Sequence, residues 1–555
     1  MKGRGHILVG ALVCALLLGA GIFGRNLFEQ SEGRYGSIAA AMVRSGDWLV
    51  PHLNGIAHFE KPPLSMWAMA ASMRLFGETE GAARIPGVLA SLLAIAAAWR
   101  MAGGRDDPRA PWAVAFALAS VLFFGMAKVV TTDIYLAACS ALSLAFAVRS
   151  VESSDPRESS RALDRAALAA GFGFLVKGPV IWILTLLPAI VEALWSKRPN
   201  GVRRLFAPRR VLLFSIVALP WFLAVAAREP GLLRWFVEKR TVAVLASSKG
   251  FHSGPFYFYV PVFLVGVLPA APVLLLAGRE GWRQLASSPR GRLLVLAVVL
   301  PLVVFSLSAS KLATYALPVV VPTAVLAADA LELGLARRGL RASAVGLVIL
   351  LSAGLAGGVF SGWFREVGPP ATGWLVASSS VLLAAAIWFL WTGRRTDGER
   401  RGPRVGVLLG AQVTMFLLAL PAAPLAEAHL TRVGVGKDLA LALAEAGRDG
   451  RPLVSYHCFL QGLPFYTGRR ALTLGWYDRD QLSEEDWSRV ALADLEALDA
   501  LARRRPVAVL CKTKNLKVLM QAVDSLVPVR EVGRFTILRS AREEPGQAGR
   551  GAMTR

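Results

Sequence analysis

The chain has 555 residues, of which 55% are hydrophobic, and a formal net charge of +24 at pH 7. This composition excludes an ordinary soluble protein, because apolar runs of about 18 to 22 residues recur and can cross the roughly 30 Å hydrocarbon layer of a bilayer. The positive charge does not indicate a nucleic-acid partner, because the arginines cluster in short loops between apolar runs, as membrane topology requires. The composition predicts an all-α polytopic membrane protein.

The apolar runs predict about 13 transmembrane helices, and the arginine-rich loops between them alternate onto one side, which the positive-inside rule makes cytoplasmic. The odd number of spans places the N-terminus inside and the C-terminal region outside. We interpret the first run as a membrane anchor, because no clear signal-peptide cleavage site follows it. The predicted spans are 7–24, 85–102, 111–127, 134–149, 163–176, 178–195, 211–228, 255–277, 293–308, 314–332, 343–360, 372–391 and 405–421.

The domain prediction assigns residues 1–423 to a transmembrane catalytic domain. Within it, residues 28–84 form a long first extracytoplasmic loop with juxtamembrane helices. Residues 424–540 are predicted to form a small extracytoplasmic α/β domain, and residues 541–555 a disordered tail. The α/β prediction rests on one helical and three strand-like stretches, namely Lys437 to Ala446, Pro452 to Tyr456, Val507 to Cys511 and Phe535 to Leu538.

Lysine is rare in this chain, with 12 lysines against 50 arginines. Lys61, Lys177 and Lys311 nevertheless each lie beside Gly, Pro or Ser at a predicted outer membrane boundary. An ammonium group acts as a compact point charge for phosphate. Ionisable groups at membrane depth are functional candidates, so these three lysines are predicted to bind a phosphate. Lys128 is more simply explained as a snorkelling side chain.

Two carboxylates, Glu32 and Asp133, lie at predicted outer ends of spans. A sugar leaving a polyprenyl phosphate passes through a cationic state that a carboxylate stabilises, and a hydroxyl acceptor needs a base. Both are therefore candidate catalytic residues. The alternative is structural: Glu32 pairs with Arg34 or supports the following helix, and Asp133 caps the fourth span.

Metal-ligand spacing is not evident in the sequence, so no metal residue is predicted and no cofactor is required, although a divalent cation stays open. His252, in the stretch KGFHSGPFYFY, is a candidate substrate contact, although a lone histidine is more often structural. Cys458 and Cys511 would pair only if their domain lies in an oxidising compartment, and the sequence leaves this open.

Seven stretches in a fixed order carry a family resemblance over nearly the whole chain. They are GRYGSIAAAMVRSGDWLVPHLNGIAHFEKPPLSMWA, RIPGVLA, TTDIYLAA, FLVKGPV, HSGPFYFYVP, FSLSASKLATYALP and SYHCFLQGLPFYTGRR. The chain resembles the aminoarabinose transferase (lipid A modification) family of GT-C polyprenyl-phosphate-dependent glycosyltransferases. The resemblance implies a GT-C fold, a periplasmic active site, an undecaprenyl-phosphate-linked sugar donor and inverting transfer.

The resemblance also assigns roles to residues. It implies donor-phosphate binding by five residues, and substrate contact by Glu60 and Tyr35 of the first loop. The five phosphate ligands are Arg34, Lys61, Lys177, Lys311 and Tyr315. One position departs from the family, in which an Asp-Glu pair precedes the arginine and tyrosine, whereas this chain has Ser31-Glu32. Either Glu32 or Glu29 substitutes, or the acceptor needs no base, as for a phosphate that is already anionic, or activity is lost.

The predicted function is an inner-membrane glycosyltransferase that moves a sugar from a polyprenyl phosphate to lipid A or another lipid or glycan acceptor. The alternatives are a protein O-mannosyltransferase-like enzyme, a transporter or flippase for the lipid-linked sugar, and a catalytically inactive scaffold. No inverted repeat of broken helices supports the transporter. The expected partners are the donor, the acceptor and membrane lipids, with no nucleic acid, and a monomer is expected in the bacterial inner membrane.

Overall fold

The computed structural model describes residues 2–29, 31–198, 200–228, 254–335, 341–342, 344–349, 351–353, 356, 369–392, 401–421, 436–476 and 484–540. The contacts among these residues divide them into two compact units. The first comprises the described residues from 2 to 24 and from 59 to 421, and the second comprises those from 25 to 58 and from 436 to 540. The sequence prediction kept residues 28–84 together, whereas the contacts divide this segment after His58.

The described part of the first unit is helical. Its α-helices are Lys2–Gly19, Leu64–Phe76, Glu80–Met101, Arg109–Ala119, Val121–Met126, Asp133–Glu152, Pro156–Lys177, Val180–Leu184, Leu186–Trp195, Gly201–Leu205, Pro208–Arg228, Tyr259–Gly266, Ala270–Leu275, Gly278–Leu285, Pro289–Leu307, Leu317–Glu332, Pro369–Thr392 and Arg401–Ala419. Three short 3₁₀ turns, Gly104–Asp106, Phe256–Phe258 and Ala313–Ala316, join some of them. Two predicted spans are interrupted just before a proline-containing segment, at Thr185 ahead of Pro188 and at 267–269 ahead of Pro272, because proline removes a helix hydrogen bond.

Six helical stretches of the described residues are long and apolar enough to cross a membrane, judged by length and composition alone. These are Glu80–Met101, Asp133–Glu152, Gly201–Arg228, Pro289–Leu307, Ala313–Glu332 and Pro369–Trp391. Two of them, Gly201–Arg228 and Ala313–Glu332, each join a short helix to the longer one that follows. The predicted span 343–360 lies partly outside the described residues, as does the whole predicted tail 541–555. The helical membrane class is thus confirmed, and the number of 13 spans stays a prediction.

A tight helical hairpin brings two sequence positions to one end of the first unit. Helices Asp133–Glu152 and Pro156–Lys177 contain 20 and 22 residues and are joined by only three residues. Asp155 starts the second helix, because its carboxylate accepts hydrogen bonds from the N–H groups of Arg157 (2.9 Å) and Glu158 (3.3 Å). Antiparallel helices of similar length return the chain to its starting level. Residues 133 and 177 therefore meet.

An ion network lies at the other end of helix Asp133–Glu152. The Arg290 guanidinium binds Asp329, with the closest nitrogen and oxygen 2.7 Å apart, and donates to the Met101 carbonyl at 2.8 Å. Arg290 also lies 3.3 Å from Glu152, and Arg109 lies 3.2 Å from Asp329. Arg290 and Asp329 are nearly buried and compensate each other's charge, whereas Arg109 and Glu152 reach the surface. The network links the ends of helices Asp133–Glu152 and Leu317–Glu332.

Lys128 caps the first helix and does not snorkel. Its side chain is 5% exposed, and its ammonium donates three hydrogen bonds, to the carbonyls of Leu17 (2.8 Å), Leu18 (2.9 Å) and Ala20 (2.8 Å). These are carbonyls at the C-terminal end of helix Lys2–Gly19, where intrahelical partners run out. A cation at this end also favours the helix dipole. The lysine therefore has a structural role.

Replacing Lys128 by methionine is expected to destabilise the protein by about 2 to 4 kcal/mol, because buried carbonyls lose their charged donor. Thermal unfolding in detergent measures this, with amide hydrogen exchange near residue 19 as a local readout. The matched control is Lys197→Met at an exposed lysine. Equal melting of the two variants would contradict the capping role.

The second unit contains the strands. They are β1 (His52–Leu53), β2 (Ile56–Ala57), β3 (Leu453–Tyr456), β4 (Ala471–Leu474), β5 (Ala491–Leu492), β6 (Ala508–Lys512), β7 (Leu526–Val532) and β8 (Phe535–Ser540). Strands β1 and β2 form a small hairpin, and the others form one sheet in the order β5-β4-β3-β6-β8-β7. Strands β3 to β6 pair in parallel, whereas β8 pairs antiparallel with β6 and β7.

Helices cover both faces of this sheet and confirm a small C-terminal α/β region. Helices Glu32–Ser45, Lys437–Ala446, Leu463–Thr467, Glu484–Val490, Leu495–Arg504 and Leu516–Ala522 belong to this unit. Cys458 packs in the core on one face and Cys511 in the core on the other. Both thiols are free, and burial raises the pKa of Cys458 to about 12 and that of Cys511 to about 11. The pairing that the sequence left open is not formed.

Candidate active site

The centre of the candidate site is an ion pair between Asp133 and Lys177. The Lys177 ammonium hydrogen-bonds the Asp133 carboxylate, and the two side chains are only 11% and 10% exposed. Asp133 is the first residue of its helix and Lys177 the last of the next. Each charge therefore lies at the helix end that its sign favours. The hairpin thus fixes a carboxylate and an ammonium at one point.

An aromatic turn packs against this pair. The Lys177 ammonium lies 4.3 Å from the ring centre of Tyr315, a cation–π contact. Tyr315 in turn packs on Phe305, with ring centres 5.9 Å apart. The adjacent Thr314 side chain hydrogen-bonds Asp133. The 3₁₀ turn Ala313–Ala316 therefore presents both an aromatic face and a hydroxyl to the ion pair.

Lys311 lies at the start of the same turn and is 6% exposed. Its ammonium donates to the Ser308 carbonyl, and its side chain passes Gly254 so closely that an added Cβ there would lie 3.2 Å from the Lys311 Cδ. Tyr259 fixes the neighbouring peptide, because its hydroxyl donates to the Leu312 carbonyl at 3.2 Å and accepts from the Leu312 N–H at 3.3 Å. The backbone around Lys311 is thus held by side chains.

Lys61 lies close enough to interact electrostatically with Asp133. It follows the half-buried Glu60 and precedes Pro62 and Pro63, which lead into helix Leu64–Phe76. The two prolines restrict the backbone just after the lysine. The first unit therefore brings together Lys61, Asp133, Lys177 and Tyr315, and Lys311 lies on the segment that leads into the turn of Tyr315.

Glu32 belongs to the second unit and is completely buried. Its carboxylate lies 3.5 Å from the Arg25 guanidinium and accepts a hydrogen bond from the Phe28 N–H at 2.9 Å. The structural alternative named Arg34 as the partner or a supporting role for the following helix. The structure gives Glu32 Arg25 as an ion-pair partner and places it in the first turn of helix Glu32–Ser45. These contacts favour a role in holding the loop, and the catalytic role of Glu32 stays a prediction.

Arg34 and Tyr35 lie on helix Glu32–Ser45 of the second unit. Arg34 donates from its Nε to the Gln461 side-chain oxygen at 2.8 Å, and Tyr35 is buried. The Ser37 hydroxyl donates to the Gln461 carbonyl at 2.6 Å. Two stretches of the family resemblance, GRYG and FLQGLPFY, are therefore bonded to each other although more than 400 residues separate them.

The backbones of the GRYG helix and the loop after β3 also lie in close contact. An added Cβ on Gly33 would lie 2.9 Å from the Gly462 nitrogen, so a larger residue does not fit. The Glu29 carboxylate accepts hydrogen bonds from the N–H groups of Gln461 (2.9 Å) and Gly462 (3.2 Å). Glu29 is thus committed to the loop after β3, and its contacts do not favour it as the substitute for the missing aspartate.

The remaining sequence predictions concern His252 and metals. His252 lies outside the described residues. Among the residues that the structure describes, no three His, Cys, Asp or Glu side chains are grouped as a metal site. Sequence reasoning missed Thr314, Tyr259 and Gln461, whose side chains bind other site elements. Each lies inside a quoted stretch, but the stretches alone do not show which ones meet.

Three comparisons with known proteins bear on this arrangement. Residues 60–227 match the family described as dolichyl-phosphate-mannose-protein mannosyltransferase, a stretch that contains Lys61, Asp133 and Lys177. Curated relatives named undecaprenyl phosphate-alpha-4-amino-4-deoxy-L-arabinose arabinosyl transferase are 34% identical over 332 residues in Pseudomonas savastanoi pv. phaseolicola and 35% identical over 358 residues in Pseudomonas aeruginosa. These matches cover 59% and 62% of this chain and span 61% and 65% of the relatives' own length, which is less than two thirds.

Solved structures match the fold over a larger share of the chain. The crystal structure of ArnT from Cupriavidus metallidurans in the apo state has a TM-score of 0.83 at 23% identity and covers 97% of this chain and 98% of that one. The ArnT structure bound to undecaprenyl phosphate also scores 0.83, at 24% identity, and covers 96% and 98%. The chain is therefore a multi-pass membrane protein with the GT-C fold of ArnT, related in sequence to the undecaprenyl-phosphate aminoarabinose transferases.

Proposed function

We propose that this protein is a glycosyltransferase that moves an aminoarabinose-type sugar from undecaprenyl phosphate to lipid A or a similar acceptor. One observation carries the proposal: two lysines, Lys61 and Lys177, act on one buried carboxylate, Asp133, in the first unit. A third buried lysine, Lys311, lies three residues before Thr314, which hydrogen-bonds that carboxylate. The names of the relatives and the undecaprenyl phosphate in the ArnT structure support the donor class. A phosphate-linked donor suits a site built from ammonium groups.

The lysines have a chemical reason to act on the donor. Transfer breaks the bond between the sugar anomeric carbon and a phosphate oxygen, and the electron pair stays on the phosphate. The phosphate gains one negative charge as this bond breaks, so ammonium groups bind it more tightly in the transition state than in the donor. The acceptor oxygen forms the new bond from the opposite face, which inverts the anomeric centre.

The carboxylates have separate proposed tasks. Asp133 orients Lys177, because the two side chains are bonded in a nearly dry position. Glu32 holds the loop that begins helix Glu32–Ser45. A phosphate acceptor needs no base, because it is already anionic at neutral pH. This route fits the presence of Ser31 where the family has aspartate.

We further propose that the protein acts as a monomer in the bacterial inner membrane, with the site and the α/β unit on the periplasmic side. The arginine-rich loops support this orientation. The mannosyltransferase family matches residues 60–227 only, whereas the relatives over the larger part of the chain are arabinosyl transferases. The protein O-mannosyltransferase and flippase alternatives are therefore less favoured.

The test is transfer by purified protein in vesicles that contain undecaprenyl phosphate carrying a radiolabelled sugar, with lipid A as acceptor. Label in lipid A supports the proposal, whereas movement of intact donor across the vesicle without bond cleavage would support a flippase. Because lysines meet the phosphate charge, we propose that no divalent cation is needed. Transfer should then persist in EDTA and change less than about twofold when Mg²⁺ is added.

Ser31→Asp tests the departure from the family. Ser31 is exposed at the position before helix Glu32–Ser45, where an acidic side chain favours the helix dipole. The variant should fold and keep at least about half of the parental transfer to lipid A. Transfer to a phosphate acceptor and to a hydroxyl acceptor is measured with Ser31→Asn as the uncharged control. Loss of transfer in Ser31→Asp alone would mean that a charge here disturbs the site.

A further inference from the structure

The carboxyl edge of the second unit's sheet carries an unassigned group of side chains. Strands β4, β3 and β6 lie side by side in parallel, with Leu474, Tyr456 and Cys511 in register. The residues that follow these positions, Gly475 and Trp476, His457 and Cys458, and Lys512 and Thr513, therefore lie next to one another. Neighbouring strands are roughly 4.8 Å apart, so this edge is a continuous surface.

This edge also contains a topological switch point, where the connections after the neighbouring strands β3 and β6 run to opposite sides of the sheet. From β3 the chain passes through helix Leu463–Thr467 to β4, whereas from β6 it passes through helix Leu516–Ala522 to β7 on the other side. The first helix packs in the core on one face of the sheet and the second in the core on the opposite face. In open α/β sheets, ligands bind outside the carboxyl ends of strands at such a point.

Two aromatic side chains at this edge, His457 and Trp476, are exposed. His457 is exposed and adopts a left-handed backbone with φ of 49°. Its imidazole packs against Gly475, where an added Cβ would lie 2.4 Å from the His457 Cε1. Left-handed backbone at a residue other than glycine is costly and is concentrated at binding sites.

An exposed aromatic ring and a cation flank this histidine. Trp476 is 41% exposed and its ring centre lies 6.1 Å from that of Phe459. Lys512 follows Cys511 on β6 and lies near enough to Cys458 to interact electrostatically. An indole face suits the apolar face of a sugar ring, the imidazole supplies hydrogen bonds, and the ammonium suits a phosphate.

The same loop is bonded to the first-loop motif. Residues 457–462 follow β3 without a break, and Gln461 within them holds Arg34 at 2.8 Å. A ligand on His457 and Trp476 would therefore lie on the loop that also holds the GRYG helix. The lysines of the first unit are assigned to the phosphate of the donor. The phosphorylated saccharide headgroup of the acceptor has no assigned binding residues, so it is the substrate that this surface suits.

We propose that His457, Trp476 and Lys512 bind the phosphorylated saccharide headgroup of the acceptor. This inference rests on the proposed function and assigns the acceptor, in addition to the donor, a surface of its own. The sugar ring stacks on Trp476, and the phosphate pairs with Lys512. Donor binding is independent of this surface.

Binding is tested first, on the full chain in detergent with undecaprenyl phosphate present to occupy the donor site. The probes are glucosamine 1-phosphate and glucosamine, and saturation-transfer NMR measures the binding of each. Trp476→Ala should weaken binding of both probes at least about tenfold, and Lys512→Gln should weaken only the phosphorylated one. The controls Trp195→Ala and Lys517→Gln, at exposed residues, should bind like the parent. Parental binding by Trp476→Ala and Lys512→Gln, or weaker binding in Lys61→Gln instead, would overturn the proposal.

Transfer kinetics separate this proposal from the proposed function. Both variants should raise KM for lipid A by about tenfold and leave KM for the donor unchanged. If the parent protein transfers sugar and both variants keep the parental KM for lipid A, this inference is overturned and the proposed function stands. A parent that transfers nothing overturns the proposed function, and the binding experiment still decides whether the edge holds a phosphorylated sugar.

Discussion

Replacing Lys177 by methionine is expected to lower sugar transfer at least about 100-fold, the loss seen when one charge-stabilising donor is removed from a transition state. The ammonium lies between the Asp133 carboxylate and the Tyr315 ring, in a position that is 11% exposed. Lys177→Arg should recover little, because a larger planar guanidinium does not reproduce the point contact of a compact ammonium in a position this buried. The measurement is kcat with saturating donor, and Lys197→Met at an exposed lysine is the control.

Stability gives a second readout of the same pair. Lys177→Met alone should destabilise the protein by about 3 to 5 kcal/mol, because it leaves the buried Asp133 carboxylate without its partner. The double variant Lys177→Met/Asp133→Asn should be more stable than Lys177→Met, since both charges are gone. Additive effects of the two substitutions would show that the side chains do not depend on each other. Near-parental kcat in Lys177→Met would remove the residue from the chemistry.

Lys61→Gln should raise the donor KM at least about tenfold and leave the acceptor KM unchanged, because one ammonium contact to an anion is lost. Glutamine removes the charge but keeps a flexible, hydrogen-bonding side chain that is only one atom shorter, so loss of the charge is the main change. Glu60→Gln is the neighbouring comparison, since it removes a carboxylate and leaves the lysine in place. Steady-state kinetics with labelled donor measure both variants.

Two results would contradict donor binding by Lys61. If the acceptor KM rises in Lys61→Gln while the donor KM stays parental, the lysine binds the acceptor instead. A loss that 0.5 M salt reproduces in the parent would indicate general screening of exposed charge and not a shielded contact.

The membrane class and several elements were predictable from sequence because they depend on local patterns. The helix Lys437–Ala446 has the predicted bounds, and the strands at 453–456, 508–512 and 535–540 lie within a few residues of prediction. Apolar length and period decide such elements without knowledge of the rest of the chain. Lys61, Asp133 and Lys177 were singled out for a related reason, because an ionisable residue at a membrane boundary stands out in sequence. The structure brings the three together, and their roles stay a prediction.

Partners were not predictable, because they depend on which distant segments meet. For Glu32 the sequence offered only the neighbouring Arg34 as an alternative ion-pair partner, whereas the structure places Arg25, seven residues earlier, against it. Arg34 reaches Gln461, and nothing in a single sequence links residues 427 positions apart. Lys128 was interpreted as a snorkelling side chain. Its burial under the end of the first helix results from packing, which the sequence does not show.

The most direct test of the central claim is native mass spectrometry of undecaprenyl phosphate bound to the purified protein. If Lys61, Lys177 and Lys311 form one anion site, then Lys61→Gln, Lys177→Met and Lys311→Gln should each weaken binding about tenfold or more, and Lys197→Met should not. The triple variant should bind no more lipid than a sample given undecaprenol, which lacks the phosphate. Parental binding of undecaprenyl phosphate by the triple variant would contradict the account.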